Sequence, residues 1–151
     1  MRQALWGVLA MLVLAPAASA HVQDPLQLGF QWPAQGTVTT PFGWTEGRYH
    51  PGLDIGMLRS LSVRAAAPGR VALVGTPTGF SGYGSIVLVD TLPPFQTLYA
   101  HLASVGVRRG QWISAGQPIG IAGCTGWCTG THLHFEVRER GFPVDPRPLL
   151  P

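Results

Sequence analysis

Five histidines stand in this 151-residue chain. The segment His132-Leu133-His134-Phe135-Glu136-Val137 alternates polar and apolar side chains. On a β-strand, positions 132, 134 and 136 share one face and 133, 135 and 137 the other. The apolar face would enter a core. The polar face would set two imidazoles and a carboxylate side by side. Buried imidazoles need hydrogen-bond partners or a metal ion. The same alternation also fits ordinary histidines on a solvated strand face, so this segment alone leaves both readings open. A second cluster is His50-Pro51-Gly52-Leu53-Asp54. An imidazole and a carboxylate four positions apart, with Pro-Gly between, can converge on one ion across a turn. Zinc in hydrolases takes three N or O ligands from the protein and leaves a fourth position for water. The helical His-Glu-x-x-His zinc motif does not occur, nor does the Gly-x-Ser-x-Gly elbow of serine hydrolases.

The elements that must position these groups read as short strands. Gly (20) and Pro (14) are spread along the whole chain, which favours many turns over long helices. Apolar or β-rich runs over 36–40, 62–66, 70–74, 85–89, 96–102, 111–113, 118–122 and 132–138 predict strands, and no window carries a helical period. Residues 44–56 read as irregular and turn-rich, and 143–151 as a Pro-rich tail. The expected fold is all-β, an antiparallel domain. A hydrophobic content of 46% supplies a core for one domain. There is no linker or long internal repeat.

Residues 1–20 read as a signal peptide. Arg2 supplies the positive start, Leu5 to Leu14 an apolar run, and Ala18-Ser19-Ala20 a small-x-small cleavage site. The run is short for a bilayer span, and no Cys follows it to accept a lipid. The expectation is export to the periplasm or the extracellular wall, without a stable membrane anchor, as a monomer. Residues 21–31 read as a short leader; His21 would open the mature chain and has no assigned role. All ten basic residues are Arg, and the formal net charge is +3, or +2 once Arg2 is removed. No basic cluster with interleaved aromatics appears, so nucleic acid is not an expected partner. Cys124 and Cys128 are the two cysteines. In an oxidising compartment such a pair becomes a disulfide; a thiolate metal pair is the competing reading. A straight strand would hold residues four apart at roughly 13 Å, whereas a disulfide needs Cα atoms within about 7 Å. The bond therefore requires a turn, which Gly126 permits, with Trp127 at its tip.

Several further pieces stand in order along the chain: Pro41-Phe42-Gly43-Trp44, Ala65-Ala66 with Gly69, Gly82-Tyr83-Gly84, Leu98-Tyr99-Ala100-His101-Leu102, and the Gly110-Gln111 and Gly116-Gln117 turns. With the two histidine segments, they resemble the lysostaphin/LytM-type zinc endopeptidases, which cut peptide bonds in peptidoglycan. The resemblance covers about Trp32 to Leu150 and implies, over 32–151, a compact antiparallel sheet domain with loops forming a narrow active-site groove, near which Trp127 would stand. It implies that His50, Asp54 and His134 bind Zn2+, and that His132 and His101 form a catalytic pair off the metal. It implies the peptide part of peptidoglycan as substrate. Some members of that family lack ligands and act as amidase activators; this chain keeps the full set. The other class of function is a wall-binding or amidase-regulating module with a structural zinc, which would not need His101 and His132. Glu136 could orient a ligand, but a plain surface or structural role is the expectation. The chain departs from the family at Cys124, Cys128 and Thr131, where Asn or a similar residue, Ser and Pro are usual.

Overall fold

The computed structural model describes residues 29–45 and 47–151. The signal peptide expected over 1–20 lies outside the described residues, as do 21–28 of the expected leader. Among the described residues thirteen strands follow one another: β1 (Thr37–Thr40), β2 (Gly43–Thr45), β3 (Arg48–His50), β4 (Leu53–Gly56), β5 (Ser62–Arg64), β6 (Gly69–Gly75), β7 (Ile86–Asp90), β8 (Phe95–Ala100), β9 (Leu102–Val105), β10 (Trp112–Ile113), β11 (Pro118–Ala122), β12 (Leu133–Glu139) and β13 (Phe142–Val144). The largest sheet runs β1-β4-β12-β8-β7-β6-β10, with β13 also paired to β12. Strands β5, β11 and β9 form a second sheet, and β2 with β3 a separate hairpin. Every pairing is antiparallel.

Alternation along the strands divides the large sheet into two faces. Leu53, Ile55, Leu133, Phe135, Val137, Tyr99, Val87 and Val89 join Val63, Ile119 and Ala122 of the second sheet in the main core. Ile86, Leu88, Leu98 and Ala100 form a smaller apolar cluster with Phe80 and Tyr83. Strand β7 contributes to both clusters, which explains its unbroken Ile86-Val87-Leu88-Val89 run. Each fully buried aliphatic or aromatic side chain contributes about 1.5–3 kcal/mol relative to exposure. Tyr99 is fully buried; its hydroxyl accepts from the Ala66 amide at 2.7 Å and donates to Thr97 Oγ1 at 3.1 Å. That hydroxyl joins the large sheet to the chain leaving β5.

Three expectations are corrected here. Residues 44–56 are not irregular: they carry the β2–β3 hairpin and β4, a central-sheet strand. The expected strand over 96–102 breaks at His101, where φ is 60°. The tail over 143–151 holds the end of β13 and a 3-10 turn over Arg147–Leu149, with Leu149 and Leu150 buried in the core. The core also begins before Trp32: Phe30, within the expected leader, is buried edge-on to Phe95 at 6.3 Å between ring centroids.

Candidate active site

Strand register assembles the site. In β12, His134 lies directly opposite Asp54 of β4 on one side and Ala100 of β8 on the other. Directly opposed residues point to the same face, so the imidazole and the carboxylate meet above the sheet. Glu136 is two residues along β12 on that face, opposite Leu98. His50 ends the β2–β3 hairpin, and Pro51-Gly52 carries the chain from it into β4. A Cβ on Gly52 would lie 2.4 Å from the Phe135 carbonyl oxygen, so only glycine lets this turn sit against β12. The turn brings His50 over Asp54.

His50 Nε2, His134 Nδ1 and Asp54 Oδ1 form a near-equilateral triangle with sides of 3.1, 3.1 and 2.9 Å. A tetrahedral ion with bonds of about 2.0–2.1 Å holds its ligand atoms about 3.3–3.4 Å apart. The triangle needs to open only slightly to accept one. The outer nitrogens are occupied elsewhere. His50 Nδ1–H donates to the Pro41 carbonyl at 2.9 Å, and His134 Nε2–H donates to Glu136 Oε1 at 3.1 Å. These partners turn a lone pair of each ring towards Asp54, and such outer partners are how proteins orient metal-binding imidazoles. The donor set therefore fits a divalent ion.

Without an ion, three electron-rich atoms at such range need a proton among them. Burial would raise the Asp54 pKa, but hydrogen bonds from His134 and His50 outweigh it and hold the carboxyl far below its usual range. Burial would lower His134, but its bonds to Asp54 and Glu136 outweigh that and push it up to about 9.

Two further histidines face the same space. His132 precedes β12 on the face of His134; its Nε2 is 3.7 Å from Asp54 Oδ1, and its Nδ1–H donates to the Gly130 carbonyl at 2.7 Å. His101 follows Ala100, where regular alternation would aim it at the core. Its left-handed backbone, uncommon for any residue but glycine, turns the ring into the groove instead. The ring stacks obliquely on His132 at 4.7 Å between centroids, and its Nδ1–H donates to the Thr125 carbonyl at 2.8 Å. Burial, more than any neighbouring charge, lowers its pKa and keeps it neutral. Thus all five residues expected from the sequence converge on one groove of about 510 Å³.

Glu136, expected to have a plain surface or structural role, is not at the surface: it is completely buried. Oε1 accepts from Tyr83 at 2.6 Å as well as from His134, and Oε2 lies 3.6 Å from Arg138 Nε. Tyr83 was not assigned a role from sequence. Its one signal is an aromatic flanked by glycines just before an apolar strand, Gly82-Tyr83-Gly84. The groove walls also include Arg48 and Tyr49 of the hairpin and Trp127. Cys124 and Cys128 are joined in a disulfide with Cα atoms 5.3 Å apart, and Gly126 makes the turn at a φ of 76°. Trp127 stands exposed on that turn, at the groove rim. Among the described residues no helix is long and apolar enough to cross a membrane.

Residues 48–146 match the model of peptidase family M23. The chain is 37% identical over 134 residues to a Pseudomonas aeruginosa lipoprotein NlpD/LppB homolog, covering 89% of this chain and 44% of that protein. It is 36% identical over 122 residues to the murein hydrolase activator NlpD of Escherichia coli, covering 81% and 31%. The chain thus spans less than half the length of these relatives. Among solved structures, a zinc-containing peptidase from Vibrio cholerae superposes with a TM-score of 0.67 at 30% identity, covering 78% of this chain and 39% of that one. Lysostaphin from Staphylococcus simulans superposes at 0.66 with 28% identity, covering 78% and 51%. On the family match and these relatives, the chain belongs to peptidase family M23.

Proposed function

We propose that the protein is an exported zinc endopeptidase that hydrolyses a peptide bond of bacterial peptidoglycan. The observation that carries this reading is the pairing of a metal-sized donor triangle with two additional imidazoles on the same side of the groove. His50, Asp54 and His134 would hold Zn2+, as donors of the type and number that leave a fourth position open. When bound, the ion acidifies water and polarises the scissile carbonyl. Glu136 fixes the His134 ring from behind, with Tyr83 holding the carboxylate. His132 presents Nε2 beside Asp54, in position to accept the proton of the attacking water. His101, whose Nδ1–H is held by the Thr125 carbonyl, turns Nε2 towards the groove as a second proton acceptor that can return a proton to the leaving amine. The water oxygen bonds to the carbonyl carbon, the C–N bond breaks, and the proton taken from water leaves with the amine. Export is supported by the segment over 1–20 and by the disulfide, which belongs to an oxidising compartment.

Native mass spectrometry and a defined cross-linked muropeptide test this reading together. One zinc per chain and cleavage of the peptide by the wild-type protein are expected, and His134→Ala should lose both. Stoichiometric zinc in that variant would reject the ligand assignment. A second reading rests on the similarity to a protein named a murein hydrolase activator. In that reading the domain keeps its zinc, cuts nothing itself and stimulates an amidase. A zinc-loaded protein inert on every cross-linked muropeptide, yet raising amidase turnover, would favour it.

A further inference from the structure

The loop from Cys124 to Cys128 does more than close a short ring. Its Thr125 is a hub. The Thr125 carbonyl accepts the Nδ1–H of His101 at 2.8 Å. Its Oγ1 accepts from the Ser85 amide at 3.0 Å and donates to the Leu102 carbonyl at 2.9 Å, the residue just after His101. The loop over Gly82-Tyr83-Gly84 presses against the same ring. The Trp127 amide donates to the Gly82 carbonyl at 2.8 Å, and the His101 amide to the Tyr83 carbonyl at 2.9 Å. A Cβ on Gly84, whose φ is 65°, would lie 2.4 Å from the Thr125 backbone. At the other end of the ring, Cys128 Sγ is 3.8 Å from His132 Nδ1 and 2.9 Å from the Gly130 carbonyl that holds His132. One five-residue segment therefore touches the anchors of both off-metal histidines, and it touches none of the three donor atoms of the triangle.

A ring in the left-handed region needs such support. His101 departs from strand geometry, and nothing in its own conformation returns the imidazole to one orientation. Its Nδ1–H bond to Thr125 both selects the tautomer and sets the plane of the ring. If the segment from 124 to 128 were free to move, that acceptor would move with it.

We propose that the Cys124–Cys128 disulfide and Thr125 are positioning elements for the catalytic pair: they fix the carbonyl that orients His101 and brace the loop that orients His132. The inference rests on the proposed peptidase reading for its kinetic consequence, but not for its structural one. The disulfide thereby acts on turnover while the metal triangle stays intact.

The test uses the full mature protein with zinc bound. The double variant Cys124→Ser/Cys128→Ser is compared with wild type for zinc content, kcat and KM, and by NMR of the histidine ring nitrogens. Zinc content should stay at the wild-type level and KM should change little, while kcat falls roughly tenfold to a hundredfold, the scale expected when a catalytic group is misplaced by about an ångström. The His101 Nδ1–H resonance should shift or broaden. Wild-type kcat with an unchanged His101 resonance would overturn the proposal, as would a kcat loss explained entirely by lost zinc. Thr125 provides a test that keeps the disulfide. Thr125→Ser retains the hydroxyl and should retain kcat and the His101 resonance, whereas Thr125→Val should lose both; equal behaviour of the two would overturn the proposal. If wild type cuts no peptide, the peptidase reading fails and the NMR comparison alone decides the positioning claim.

Discussion

Glu136→Gln changes one buried atom group and leaves side-chain volume nearly the same. In the wild type, Oε1 accepts two hydrogen bonds, from Tyr83 at 2.6 Å and from His134 at 3.1 Å. A glutamine can keep its single carbonyl oxygen there. Its amide NH2 then replaces Oε2 and faces Arg138 Nε, which lies 3.6 Å away and has no hydrogen-bond partner among the described residues. Two donors meet where a carboxylate stood. The variant also removes the negative charge that makes His134 a stronger donor to the ion. Outer partners of this kind typically contribute 10–100-fold in metal affinity, or about 1.4–2.7 kcal/mol. Competition against a chelating dye should show zinc affinity lower by that factor. Tyr83→Phe, which removes a hydrogen bond but keeps the charge, should cost less. An unchanged zinc affinity in Glu136→Gln would refute the claim that the carboxylate tunes His134.

Three more outcomes follow from the same geometry. His101→Ala and His132→Ala should each retain zinc and lose roughly 10²-fold or more in turnover, measured on a cross-linked muropeptide; loss of zinc in either would make that residue a ligand. The His134 pKa is raised to about 9 in the metal-free protein, above the ordinary value of 6.5. Its stabilising contribution is therefore complete below the ordinary value and lost as pH rises through about 9, so metal-free thermal melts should fall across that window and zinc binding there should release a proton, read by calorimetry in buffers of different ionisation enthalpy. Tyr99→Phe orphans the buried Ala66 amide and should destabilise the fold by about 1–3 kcal/mol in urea melts, with little change in native turnover.

Much of the site was legible because strand alternation is a strong signal. The period through His132, His134 and Glu136 put all three on one face, the spacing of His50 and Asp54 offered a second cluster, and the resemblance supplied His101 and joined the five into one site. What alternation cannot carry is the depth of a face. Glu136 lies on the polar side of β12, yet Tyr83 and Arg138 cover it, and Tyr83 comes from a loop about fifty residues away in sequence. Nor does a run such as Gln96 to Leu102 reveal that one residue leaves the β region. His101 turns left-handed because three tertiary bonds, from its own amide, its ring and the Leu102 amide to the Ser85 carbonyl, converge there. The β2–β3 hairpin was missed for a local reason: its strands are three residues each, too short to show a period. The Cys124–Cys128 turn was legible from chain geometry, because two cysteines four apart can bond only across a bend.

The central claim is that this domain itself cuts peptide bonds with a metal ion held by His50, Asp54 and His134. Purified peptidoglycan incubated with the protein alone, with no amidase, tests it most directly when the same sample is chelated and then restored with zinc, and the soluble products are weighed by mass spectrometry. The expected result is soluble products in which each cut leaves a new carboxylate on one fragment and a new amine on the other, lost on chelation and regained with zinc. Intact cross-links after incubation with the zinc-loaded protein, across peptidoglycans of different peptide composition, would contradict it.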